Sequence, residues 1–81
     1  MDVNMKMPDL ATNEGADIAV GRWLIEVGQS VKRGQPLLEV ETDKAVQEVE
    51  SIVGGVLKTI HVPAGHKVAV GTIIATIKVS V

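Results

Sequence analysis

A thirteen-residue pattern occurs twice in this chain, and the copies stand a constant 37 residues apart. Gly28-Gln29-Ser30-Val31-Lys32-Arg33-Gly34-Gln35-Pro36-Leu37-Leu38-Glu39-Val40 lies over Gly65-His66-Lys67-Val68-Ala69-Val70-Gly71-Thr72-Ile73-Ile74-Ala75-Thr76-Ile77. Both glycines recur, and Val31/Val68, Leu37/Ile74 and Val40/Ile77 agree in character. The register extends upstream to Trp23/Ile60 and Ile25/Val62. Each copy belongs to a unit of about four short strands, too small to cover its own apolar face. The two units must therefore bury against each other, as a sandwich with a pseudo-two-fold axis.

The local pattern agrees. β-Branched residues and glycines dominate, and no window repeats its apolar residues at helical spacing. Strands are expected at Val3–Met7, Ile18–Val27, Pro36–Glu41, Ala45–Glu50, Gly55–Val62, His66–Val68 and Ile73–Val79. Turns are expected at Gly28-Gln29-Ser30, Lys32-Arg33-Gly34, Gly54-Gly55, Pro63-Ala64-Gly65 and Val70-Gly71. The fold class is all-β: a flattened β-barrel or sandwich of two roughly four-stranded antiparallel sheets.

Eighty-one residues make one domain, residues 1–81. A chain of this size buries roughly 60% of its surface, which leaves little room for a deep substrate pocket beside the core. Without cysteine it has neither disulfides nor thiolate metal ligands, and a reducing compartment suits it. Stability must come from Val, Ile, Leu and Ala packing, since Phe and Tyr are missing and Trp occurs once. The net charge of −2 is scattered, with no basic patch interleaved with aromatics such as nucleic-acid binding needs. No apolar run is long enough to cross a membrane, and Met1-Asp2-Val3-Asn4 does not read as a signal peptide.

Chemistry is expected at Lys44, in Glu41-Thr42-Asp43-Lys44-Ala45 between two strand-like stretches. Asp43-Lys44 suits a type I turn, which accepts most residues. A lysine at such a tip has no apolar wall to depress its pKa, so it makes a poor base but an accessible amine. Adding 37 to 44 gives 81, the last residue. The hairpin joining the halves is thus the counterpart of the open end where the chain starts and stops, and Lys44 is expected opposite the termini. The plain alternative is a solvated charge beside Glu41, Asp43 and Glu48.

Several stretches together resemble the lipoyl domains of the 2-oxo acid dehydrogenase complexes, within the biotinyl/lipoyl-attachment family. They are Met7-Pro8-Asp9-Leu10, Trp23-Leu24-Ile25-Glu26-Val27-Gly28, Val31-Lys32-Arg33-Gly34, Leu37 through Ala45, Gly55-Val56-Leu57 and Val68-Ala69-Val70-Gly71. The resemblance implies a barrel-sandwich hybrid and lipoate in amide linkage on Lys44. It also implies a swinging-arm role. A thiamin-dependent 2-oxo acid dehydrogenase loads an acyl group, the acyltransferase core passes it to coenzyme A, and dihydrolipoyl dehydrogenase reoxidises the arm. A lipoylating enzyme is a fourth partner. On this reading the domain alone is no enzyme but part of a dihydrolipoyllysine-residue acyltransferase, an N-terminal piece of a longer chain. Alone it is monomeric; its parent complex is multimeric, cytoplasmic in a bacterium and in the mitochondrial matrix of a eukaryote. The sequence departs from many relatives in the loop after Leu10, where Glu14-Gly15 stands unusually far from Trp23.

Recognition by these enzymes is expected at Glu41, Asp43 and Ala45, and at Leu10, Asn13 and Glu14. The last three lie in the polar loop Asp9–Asp17, much longer than its counterpart Ser51-Ile52-Val53-Gly54. Other candidates weaken on inspection. Met5-Lys6-Met7 matches the biotin-carrier triplet but lies at the chain start, with no half-domain before it to form a hairpin. His61 and His66 lack a third ligand, and no serine has a His/Asp partnership. Glu39, Glu41, Glu48 and Glu50 alternate along their strands as a solvated acidic face, which can guide a partner by charge. Trp23, matched by Ile60, is expected in the core. Biotin carriage and an unmodified adaptor role are the alternatives to lipoate carriage.

Overall fold

The 37-residue period reappears in the strands themselves. A computed structural model describes residues 1–8, 18–42 and 45–79. Its strands are β1 (Asp2–Lys6), β2 (Ile18–Trp23), β3 (Ser30–Val31), β4 (Pro36–Glu41), β5 (Val46–Glu50), β6 (Gly55–Ile60), β7 (Lys67–Val68) and β8 (Ile73–Lys78). Shifting β2, β3 and β4 by 37 gives the bounds of β6, β7 and β8. β1 maps onto β5 with a shift of 44, because the connection after β1 is seven residues longer than the one after β5.

Two antiparallel sheets form, in the orders β1-β8-β6-β3 and β5-β4-β2-β7. The axis that exchanges the halves turns one order into the other. Each sheet takes two strands from each half, so neither half owns a sheet. The sheets stack as a flattened sandwich of 38 × 19 × 18 Å and do not close into a barrel.

The buried residues obey the same symmetry. Val20/Leu57, Val31/Val68, Leu37/Ile74, Leu38/Ala75 and Val40/Ile77 are core pairs across the shift of 37, and Met5/Val49 across the shift of 44. Fully burying one such aliphatic side chain contributes about 1.5–3 kcal/mol, more than a typical net hydrogen bond, so packing dominates. Met7 breaks the pattern. Its counterpart is the buried Ser51, whose hydroxyl donates to the Val53 carbonyl at 2.6 Å.

Sequence reading overextended β2, expected to reach Val27, and β6, expected to reach Val62. Their apolar residues continue because the chain is changing sheets. After Trp23 it crosses from the β2 sheet to the β3 sheet, and Gly28 N donates to Leu57 O at 2.7 Å. The equivalent crossing after β6 ends with Gly65 N donating to Val20 O at 2.8 Å. Gly28 and Gly65 take φ of 92° and 90°, a left-handed turn costly to any residue with a Cβ. The other correction is Ser30, expected in a turn. It pairs with Val56 in β3, too short a strand to show a period.

Trp23 is only partly buried, against the expectation of a core residue. Its indole N–H needs an acceptor and donates to Val62 O at 2.9 Å, tying β2 to the opposite crossing. At one end of the molecule Lys58 reaches Asp2 at 2.7 Å, and this hydrogen bond holds the Asp2 carboxyl below its usual pKa.

Gly55 tests the close approach of β6 and β8. A Cβ there would overlap the Lys78 carbonyl and press on Ile77 Cγ2, whereas at Gly54 it would meet only ordinary contacts. Gly55→Ala should lower stability by about 1–3 kcal/mol, read from urea unfolding midpoints, while Gly54→Ala should shift the midpoint far less.

Candidate functional site: the hairpin that joins the halves

β4 and β5 pair from Leu38↔Val49 through Glu39↔Glu48 and Val40↔Gln47 to Glu41↔Val46. Four residues, 42 to 45, complete the hairpin. Its base is clasped by threonine. Thr42 N donates to Ala45 O at 2.9 Å, Thr42 Oγ1 donates to the same oxygen at 3.1 Å, and Ala45 N donates back to Thr42 Oγ1 at 3.2 Å. Threonine serves here because its hydroxyl both donates and accepts within a turn.

The clasp has a counterpart. Shifting Thr42 by 37 gives Val79, and shifting Ala45 back by 44 gives Met1. Val79 N donates to Met1 O at 2.7 Å, and the Met1 amino group donates to Val79 O at 3.1 Å. The expected equivalence of hairpin and chain ends therefore holds at the level of backbone hydrogen bonds. The two-fold relation sets the clasp and the terminal pair at opposite ends of the domain.

Asp43 and Lys44 lie outside the described residues, as do Leu10, Asn13 and Glu14 with the rest of 9–17. The surroundings of the hairpin are described. Ala45, Glu41 and Glu48 are exposed, and Val46 is 59% exposed on the outer face of the sheet. β2 begins beside the hairpin, with Ala19 paired to both Glu41 and Lys67. The long loop after β1 thus re-enters the sheet next to the hairpin.

Exposure alone does not single out a lysine. Lys6, Lys32, Lys58, Lys67 and Lys78 are all exposed. Four of them are fixed in strands, and Lys32 flanks a turn within one half. Lys6 ends β1, paired with Ile73 between the buried Met5 and Met7. It is a strand residue, not the tip of a hairpin.

The remaining candidates resolve into structural roles. His61 Nε2 lies 2.8 Å from Thr76 Oγ1, which donates its only hydrogen to Asn4 Oδ1 at 3.0 Å. His61 must then be the donor, through Nε2–H. No group of three or more possible metal ligands occurs among the described residues. Glu39 pairs with Arg22 at 2.7 Å while facing Glu48 across the strands. Sequence reading noticed neither the exposed Val46, which alternation back from Glu48 places on the outer face, nor Arg22, whose position depends on the register of β2 against β4.

The model of the biotin/lipoyl family, described as "Biotin-requiring enzyme", matches residues 3–77. The chain belongs to that family. Relatives of this biotin/lipoyl domain include the dihydrolipoyllysine-residue acetyltransferase component of the Zymomonas mobilis pyruvate dehydrogenase complex, 41% identical over 93% of the chain. Another is the dihydrolipoyllysine-residue succinyltransferase component of the Staphylococcus saprophyticus 2-oxoglutarate dehydrogenase complex, 40% identical over 90% of it. The chain spans 17% of the length of each. The solution structure of the lipoyl domain of the 2-oxoglutarate dehydrogenase complex from Azotobacter vinelandii shares the fold. Its TM-score is 0.68 at 27% identity, and 96% of this chain and 95% of that one are covered.

Thr42→Val keeps the shape of the clasp and removes its hydroxyl. The substitution should cost about 0.5–1.5 kcal/mol in urea unfolding and speed hydrogen exchange at the Ala45 amide, with the exchange at Val79 unchanged.

Proposed function

We propose that this chain is a lipoyl-carrier domain, with lipoate amide-linked to Lys44. The observation that carries the reading is the position of Glu41-Thr42-Asp43-Lys44-Ala45 on the one hairpin that joins the halves, clasped by Thr42 and opposite the terminal pair. The flanks fit such a group, since the hairpin's described neighbours are exposed and leave a long substituent free in water.

Attachment is an acyl transfer to an amine. The Lys44 ammonium gives up a proton, and its Nζ attacks the carboxyl carbon of an activated lipoyl ester, thioester or mixed anhydride. The C–N bond forms, the leaving group departs with its bonding pair, and a second proton leaves nitrogen. The amide is neutral, so the site loses one positive charge. The bound dithiolane supplies acyl-accepting sulfur and two-electron redox chemistry, which no side chain of this cysteine-free chain offers.

Presentation is the protein's share. The sandwich fixes the two strands of the hairpin and the Thr42–Ala45 clasp at its base, and the terminal pair lies at the far end. The partners are a thiamin-dependent 2-oxo acid dehydrogenase component, an acyltransferase core, dihydrolipoyl dehydrogenase and the lipoylating enzyme. Tethering makes each visit intramolecular and raises local concentration without tight binding at any station. Contacts at Glu41, Asp43 and Ala45, and at Leu10, Asn13 and Glu14, belong to this proposal.

Intact-mass spectrometry of chain produced with a lipoylating system should show one lipoyl increment, lost in Lys44→Ala and retained in Lys6→Ala. An avidin-reactive product would support biotin carriage instead. No increment despite an active lipoylating enzyme would remove the proposal.

A further inference from the structure

The pseudo-symmetry supplies an internal control for surface residues, because two positions with the same backbone environment carry different side chains. On the outer face of β4 and β5, Glu39 faces Glu48. The counterpart on β8 and β1 is Thr76 facing Asn4, joined by a 3.0 Å hydrogen bond, with Thr76 buried and also held by His61. This framework therefore accepts a neutral, bonded pair at that position. Carboxylates directly opposite repel each other. Arg22 relieves Glu39, but no cation among the described residues pairs with Glu41 or Glu48. Folding does not require this arrangement.

Other counterparts on the two outer faces invert sign: Glu41 corresponds to Lys78, and Glu50 to Lys6. Val46 corresponds to Asp2, which is ion-paired with Lys58, yet Val46 is an apolar side chain left 59% exposed. It has Glu41 across the strands, and Glu48 two residues along on the same face. An exposed apolar residue ringed by charge has the anatomy of a small interface: an anchor with a polar rim.

We infer that the outer face of β4 and β5, with Val46 as anchor and Glu39, Glu41 and Glu48 as rim, docks the enzyme that acylates Lys44. That enzyme would offer a basic surface around an apolar seat. The inference rests on the lipoyl-carrier reading. Charge complementarity fixes the sign of the partner, and reach selects which partner it is. A bare lysine is short, so the enzyme that acylates it must take in the hairpin and the strand faces beneath. Glu39 and Glu48 lie two residue pairs below the Glu41–Val46 pair, roughly 7 Å at the usual strand rise. An enzyme acting at the far end of the finished arm need not come so close.

Importing the counterpart's own pair gives a substitution the framework tolerates. E39T/E48N should unfold at the wild-type urea midpoint or above it. Its kcat/KM for lipoylation at low salt, followed as lipoyl mass increment against time, should nevertheless fall roughly tenfold through KM, with kcat retained. V46S should show the same split, K78Q on the other sheet should not, and the gap between wild type and E39T/E48N should close at high salt. Wild-type kinetics in E39T/E48N would overturn the inference while leaving the carrier reading intact. So would an equal loss in K78Q, or a wild-type dimer in sedimentation velocity that E39T/E48N abolishes. A wild-type chain that gains no lipoyl mass in this assay would overturn both.

Discussion

Neither half of this molecule owns a sheet, and the rest of the structure follows from that. β1 and β3 find their partners on β8 and β6, while β2 and β4 pair with each other and are flanked by β7 and β5 of the other half. A half standing alone would leave strand edges unpaired and one apolar face in water, and isolated pairs of strands are marginal at best. Burial and hydrogen bonding are both satisfied only when the halves interlock. The chain must then pass from one sheet to the other at every connection except the β4–β5 hairpin, and the crossings at 24–28 and 61–65 are two of these six passages. The closing hairpin is the one place where the two halves join covalently.

Symmetry separates what the fold needs from what it does not. The backbone bonds at Gly28 and Gly65, and at the Thr42–Ala45 and Val79–Met1 pairs, are framework. So are the paired aliphatic positions of the core. Departures gather around the hairpin end: a longer loop leading into β2, a facing pair of glutamates and an exposed valine. The opposite end, where the counterparts sit, carries the chain termini and a closed Lys58–Asp2 ion pair.

Much of the fold was legible because the repeat is encoded in glycines and aliphatic residues whose physical roles are local. Gly28, Gly34, Gly65 and Gly71 all have positive φ, and the strand Pro36–Glu41 falls where alternation places it. The sheet crossings were not legible, since Leu24, Ile25 and Val62 remain apolar and at least partly buried while leaving their strands, and periodicity records burial rather than pairing. Ser30–Val31 is too short for any period to register. At the site, the hairpin could be read from spacing and from the repeat together. Arg22's grip on Glu39 could not, because it depends on the register of β2 against β4, including the irregularity between Val20 and Arg22.

The central claim is that a folded hairpin, and not a linear motif, presents Lys44 for modification. Lipoylation of the whole chain can be compared with that of a synthetic peptide spanning residues 36–50, with the modified lysine located by peptide mapping. The account predicts rapid modification of the whole chain on Lys44 alone, with Lys6, Lys32, Lys58, Lys67 and Lys78 untouched, and a peptide slower by orders of magnitude. A peptide modified as fast as the folded chain, or label spread over the strand lysines, would contradict it.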